Sequence, residues 1–136
     1  MNLNSRSRPL TPLELEIMKV LWVAGPATVQ AVQARLAGEP RLAYTTIQTM
    51  LNVLHRKKKV TRALKGRAYE YSPLVSREAA ARTTLRDVMT RFFGGSAESL
   101  VMSLVASRAL KPEKLAKLKR LVEQANSLAK EKHGNS

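Results

Sequence analysis

Between Arg56 and Arg67 the chain carries seven basic side chains, Arg56, Lys57, Lys58, Lys59, Arg62, Lys65 and Arg67, and no acid. Just before them stand Thr45, Gln48, Thr49 and Asn52. Hydroxyl and carboxamide groups both donate and accept, which suits hydrogen bonding to base edges, while guanidinium and ammonium groups suit contact with phosphates. The chain has no Gly-x-Ser-x-Gly elbow, no glycine-rich phosphate loop and no His-Glu-x-x-His, so the common catalytic patterns are missing. These residues point to binding of nucleic acid and not to an enzyme.

Composition narrows the field further. There are 24 lysines and arginines against 10 acids, a formal net charge of +14, and such self-repulsion is relieved by a polyanionic partner. With no cysteine, disulfides, thiolate metal sites and cysteine nucleophiles are excluded, and His55 and His133 cannot alone form a typical zinc site. Neither metal nor cofactor is expected. No apolar run approaches the roughly 20 residues needed to cross a bilayer, and Met1 to Pro9 is polar, without the apolar stretch of a signal peptide. The expectation is a cytoplasmic protein that does not engage the membrane.

The elements that must position these side chains can be read from caps and periodicity. Thr11-Pro12-Leu13-Glu14 is a helix start, with threonine as cap, proline at the first helical position and glutamate placed to complete a capping box. Helix one then runs to about Val23, with Leu13, Ile17, Val20 and Leu21 on one face, and Gly25-Pro26 stops it. Thr28 caps a short second helix through Val29, Val32 and Leu36, which Gly38-Glu39-Pro40 ends. A third helix spans about Tyr44 to Lys58, its buried stripe formed by Ile47, Met50, Leu51 and Leu54. Opposite that stripe lie Thr45, Thr49, Asn52 and Arg56, with Gln48 at the margin. This is the face that can enter a major groove.

Val60–Leu64 and Ala68–Tyr71 are rich in β-formers and flank Lys65-Gly66-Arg67, which predicts a hairpin closed by Pro73. Three short helices followed by a hairpin make a winged helix, with Lys65 and Arg67 at the wing tip placed to lie along a DNA backbone. The basic run continues from the third helix into the wing, which favours phosphate contact over a merely solvated face. Trp22 is expected to anchor the small core, and Tyr69 and Tyr71, sharing one strand face, to pack on the helices. His55, beside the apolar stripe, reads as a structural residue.

Beyond Pro73 the pattern is helical: about Ser76 to Phe93, a break at Gly94-Gly95, Ser96 to Ser107, and Pro112 to Lys130. In the last of these Leu115, Leu118, Val122, Ala125 and Ala129 alternate by three and four, and Leu121 and Leu128 widen the stripe. Such a stripe needs a partner, and with Leu100 and Leu104 it is expected to hold a homodimer. The fold class is mainly α with a small β-hairpin. Residues 1–73 form the winged helix-turn-helix domain that binds double-stranded DNA, and residues 74–136 a helical dimerisation domain.

Three stretches carry a family likeness: Leu10 to Trp22 (LTPLELEIMKVLW), Ala43 to Leu51 (AYTTIQTML) and Gly66 to Tyr71 (GRAYEY). In that order the chain resembles the penicillinase repressor family, of the BlaI/MecI type, from about Leu10 to Val122. The resemblance implies a homodimer on a two-fold operator that represses resistance or stress genes until an inducer arrives. It implies that Ala43, Tyr44, Thr45, Thr46, Gln48 and Thr49 face DNA while Lys65 and Arg67 hold the backbone. Some relatives carry lysine where Thr45 stands, which implies a different operator. Where relatives place a glycine after the basic end of the third helix this chain has Lys59, so a left-handed cap there must be made without glycine. Copper-responsive relatives carry cysteines near the C-terminus, and this chain has none. The likeness further implies release through a sensor-linked protease, at a bond aligning near Ser103-Leu104, although the asparagine and phenylalanine of those relatives are replaced.

Two other classes compete. A basic nucleoid or RNA-binding protein would use the charge without reading sequence. A membrane-surface helix would need bulky aromatic residues that the aliphatic stripe of the last helix lacks.

Overall fold

The computed structural model describes residues 8–36, 38 and 41–134, the last four by backbone alone. The expected helix stop at Glu39-Pro40, the start from Met1 to Ser7 and the side chain of His133 lie outside the described residues. The elements run α1 (Pro12–Ala24), α2 (Val29–Arg35), α3 (Tyr44–Arg56), β1 (Val60–Lys65), β2 (Ala68–Pro73), α4 (Arg77–Phe93), α5 (Ala97–Ala106) and α6 (Pro112–Gly134). By packing the chain forms two compact units, one up to Val88 and one from Met89.

In the first unit the helix starts follow from their caps. The Glu14 amide donates to Thr11 Oγ1 at 3.2 Å and the Thr11 amide to Glu14 Oε1 at 2.8 Å, closing the capping box, with Pro12 in the first turn. Thr28 caps α2 by accepting from the Ala31 amide at 3.1 Å. The apolar faces of α1, α2 and α3 converge on one core of Ile17, Met18, Leu21, Val29, Val32, Ile47, Leu51 and Leu54, closed by Ala27, Val60 and Tyr71. Met50, assigned to the same stripe, is only partly buried at its edge.

The hairpin pairs Val60 with Pro73 through Lys65 with Ala68, leaving Gly66-Arg67 as a two-residue turn. Gly66 has φ +64°, a left-handed conformation that glycine adopts without steric penalty. The sheet gains a third short segment. Ala27 exchanges backbone hydrogen bonds with Tyr71, at 3.0 and 2.8 Å, so the link between α1 and α2 pairs with β2 and fastens the wing to the helices. Periodicity cannot reveal a one-residue bridge.

The end of α3 differs from expectation. The helix stops at Arg56, and the left-handed residue is Lys58, at φ +61°, not Lys59. The reversal turns Lys59 inward, where it is 5% exposed with its ammonium 3.5 Å from the Arg8 carbonyl oxygen. Trp22 packs on the core and its indole N–H donates to the Val75 carbonyl at 2.9 Å, holding the chain after β2 against α1.

The second unit contains the last residues of α4 with α5 and α6. Gly94 and Gly95, both at positive φ, end α4, and the Gly95 amide donates to the Met89 carbonyl at 2.8 Å. Ser96 caps α5 through the Ser99 amide. None of the residues of this unit with described side chains is fully buried. Phe92 is 74% exposed, and Leu104, Leu118, Leu121, Val122 and Leu128 are also open. A unit of helices without a core of its own leaves its apolar faces uncovered.

Candidate nucleic-acid interface

Helix α3 presents two unlike faces because its apolar residues recur at helical spacing. Ile47, Leu51 and Leu54 are fully buried, while Ala43, Tyr44, Thr45, Thr46, Gln48, Thr49, Asn52 and Arg56 are exposed. Ala43 occupies the N-cap and supplies no side-chain hydrogen bond. The first amides of α3 are therefore without a side-chain cap at the positive end of the helix dipole, and those donors suit a phosphate oxygen.

The wing stands beside this face. Tyr44 and Gln48 of α3 line one groove of about 370 Å³ together with Thr28, Arg67 and Tyr69, so the start of the third helix and the wing turn act on the same space. Lys65 and Arg67 are exposed at that turn. A polar helix flanked by a cationic loop can read base edges while anchoring the backbone.

Asn52 has a second role. Its Oδ1 accepts from Arg62 Nη1 and from the Tyr71 hydroxyl, both at 3.2 Å. The Arg62 guanidinium lies 4.3 Å from the centre of the Tyr69 ring. This chain of contacts joins α3 to both strands and sets the wing beside the exposed polar face of α3. Tyr71 is buried as expected, but Tyr69 is 43% exposed and packs under Arg62 rather than on the helices. Within the basic run nothing local marks Arg62 for this role, although the hairpin register places it across from Tyr71.

The basic run divides into outward and inward members. Arg56, Lys58, Lys65 and Arg67 are exposed. Lys59 is buried, and Lys57 turns to Glu14, its Nζ donating to Oε2 at 2.8 Å. Glu14 is 1% exposed. Burial alone raises its pKa, but the Lys57 hydrogen bond, the Thr11 amide and the Lys57 charge outweigh burial and hold the carboxyl below its ordinary range. Burial lowers the pKa of the Lys59 ammonium, opposed by the charge of Glu14 and assisted by that of Lys57. With Arg62, held by Asn52 and Tyr69, three of the seven cations thus make contacts within the fold, a division invisible in a charge count.

The remaining expected residues lie in the second unit. Leu100 is half-buried and Ser103 and Leu104 exposed within α5, while Leu115, Leu118, Leu121, Val122 and Ala125 follow one another along α6. His55 is half-buried near the end of α3. Among the described residues no group of three histidines, cysteines or acids can hold a metal ion, and no helix is long and apolar enough to cross a membrane.

Known proteins resemble this chain over most of its length. The penicillinase repressor of Bacillus licheniformis is 26% identical over 122 residues, spanning 90% of this chain and 95% of its own length. The methicillin resistance regulatory protein MecI of Staphylococcus aureus is 18% identical over 122 residues, spanning 90% of this chain and 99% of that protein. The transcriptional regulator BlaI of Mycobacterium tuberculosis is 32% identical over 83 residues, 60% of each chain. Such proteins are transcriptional repressors and not enzymes. A family model described as penicillinase repressor matches residues 10–124, and the chain belongs to that family.

Proposed function

We propose that this chain is a homodimeric, sequence-specific repressor of transcription, acting in the cytoplasm on a two-fold double-stranded DNA operator that controls antibiotic-resistance or stress genes. The observation that carries this reading is the exposed polar face of α3 sharing one groove with the cationic wing. Residues 1–73 supply the DNA-binding head. Ala43, Tyr44, Thr45, Thr46, Gln48 and Thr49 meet the major groove, Asn52 and Arg56 continue that face, and Lys65 and Arg67 hold the backbone. Residues 74–136 supply dimerisation through Leu100, Leu104, Leu115, Leu118, Leu121, Val122 and Ala125, whose open apolar surface a second copy would cover.

Release follows from the same arrangement. Cutting near Ser103-Leu104, in the interior of α5, would divide the dimerisation helices and leave two independent heads. Bivalent binding contributes about 10² to 10⁴ in avidity, so an operator empties without any change at the DNA face. The bond lies within a helix, so a sensor-linked protease would act on a locally opened α5.

The test is affinity of the purified full chain for a duplex selected from random DNA against a scrambled duplex, at physiological salt. A specific repressor gives a ratio of at least about 10³. A ratio near one would instead identify a nucleoid-type coat protein.

A further inference from the structure

Away from the DNA face, the first unit contains a groove of about 420 Å³ walled by α1 and the first turns of α4 and lined almost wholly by carbon. Leu15 and Trp22 form one wall, and Ala81, Leu85 and Val88 form the other. The hollow exists because the alanines of α4 leave room opposite the indole. Trp22 is held in place through its hydrogen bond to the Val75 carbonyl. Leu85 stays 49% exposed. At one end the Arg77 guanidinium sits 5.8 Å from the indole centre. Arg77 is exposed and makes no ion pair with an acid among the described residues.

We propose that this groove binds a small organic acid, its apolar body between Trp22 and Leu85 and its carboxylate on Arg77. The volume falls within the roughly 300–1,000 Å³ of small-molecule sites, and an apolar wall with one placed polar group is their usual chemistry. The guanidinium fork matches a carboxylate. Charge complementarity selects this occupant over a second copy, because a chain of net charge +14 is poorly matched to an unneutralised cation. The site is independent of the DNA-binding reading and stands or falls without it.

Trp22 is the single tryptophan of the chain, so its fluorescence reports the groove directly. The full chain is titrated with phenylbutyrate and with the neutral phenylbutyramide. The site predicts a saturable change with one phenylbutyrate per chain, at least about tenfold tighter than the amide, as expected for a hydrogen bond to a charged group. Arg77→Gln, at an exposed position, abolishes that preference while amide binding persists. Ala81→Phe fills the hollow and removes both. No saturable change at any protein concentration, as when a second copy covers the groove, overturns the proposal. Equal affinity for acid and amide overturns it too, as does a preference that survives Arg77→Gln.

Discussion

Glu14 serves two helices at once. One carboxylate oxygen completes the cap of α1 and the other holds Lys57 at the end of α3, 43 residues away. Because its pKa is lowered in the folded chain, the folded state binds fewer protons than the unfolded one. The stabilisation is therefore fully present above the ordinary carboxylate range and is lost as pH falls through the lowered value. Glu14→Gln should flatten the acid limb of a urea-unfolding series and lower stability at neutral pH by about 1–3 kcal/mol. At the proposed DNA face, Gln48→Ala or Thr49→Ala should change which bases are tolerated, by about 1–3 kcal/mol per lost contact, whereas Arg67→Ala should weaken all DNA about equally. Binding of operator and scrambled duplexes by each variant separates the two, and a uniform loss for the helix variants would remove them from base readout. The capping role of Glu14 was legible because Thr11 lies three residues away. Its bond to Lys57 was not, since nothing local distinguishes that lysine from Lys58 beside it.

At the scale of elements, caps and periodicity placed the six helices and the hairpin of the described residues within a few residues, because several of their ends are marked by local chemistry such as Gly25-Pro26 and Gly94-Gly95. What local chemistry could not show is how the elements join. The pairing of Ala27 with Tyr71 and the contacts from Asn52 through Arg62 to Tyr69 both depend on tertiary packing. The left-handed turn after α3 was foreseen but set one residue late, at Lys59, because the helix ends earlier than its charge pattern suggests. A lysine at φ +61° carries a steric penalty that glycine avoids, partly offset by the greater freedom of glycine in the unfolded chain. Lys58→Gly should therefore stabilise the fold by about 0.5–1 kcal/mol, measured as a higher urea midpoint at unchanged slope. In the opposite direction, Leu51→Ala, at the fully buried centre of α3, should cost about 2–5 kcal/mol.

For the whole molecule, the two units differ in kind. The first has a closed core, whereas the second has none among its described side chains, which is the physical ground for proposing that a second copy completes it. Val75 is tied to Trp22, so a chain ending at Val88 keeps the first unit intact better than one ending at Pro73. Such a chain should sediment as a monomer and bind operator about 10²-fold or more weakly than the full protein, and a dimer at that length would place the interface elsewhere. The alternating stripe of α6 is what proposes dimerisation in the sequence, but no single chain can disclose how two copies would interlock. A two-fold protein imposes its symmetry on its site, with half-sites about one helical turn apart or a small multiple of that. The decisive measurement is hydroxyl-radical footprinting of the full chain on DNA selected from a random pool. A two-fold repressor should give two patches of protected backbone related by a dyad. A single asymmetric patch, or continuous protection indifferent to sequence, would contradict two-fold binding.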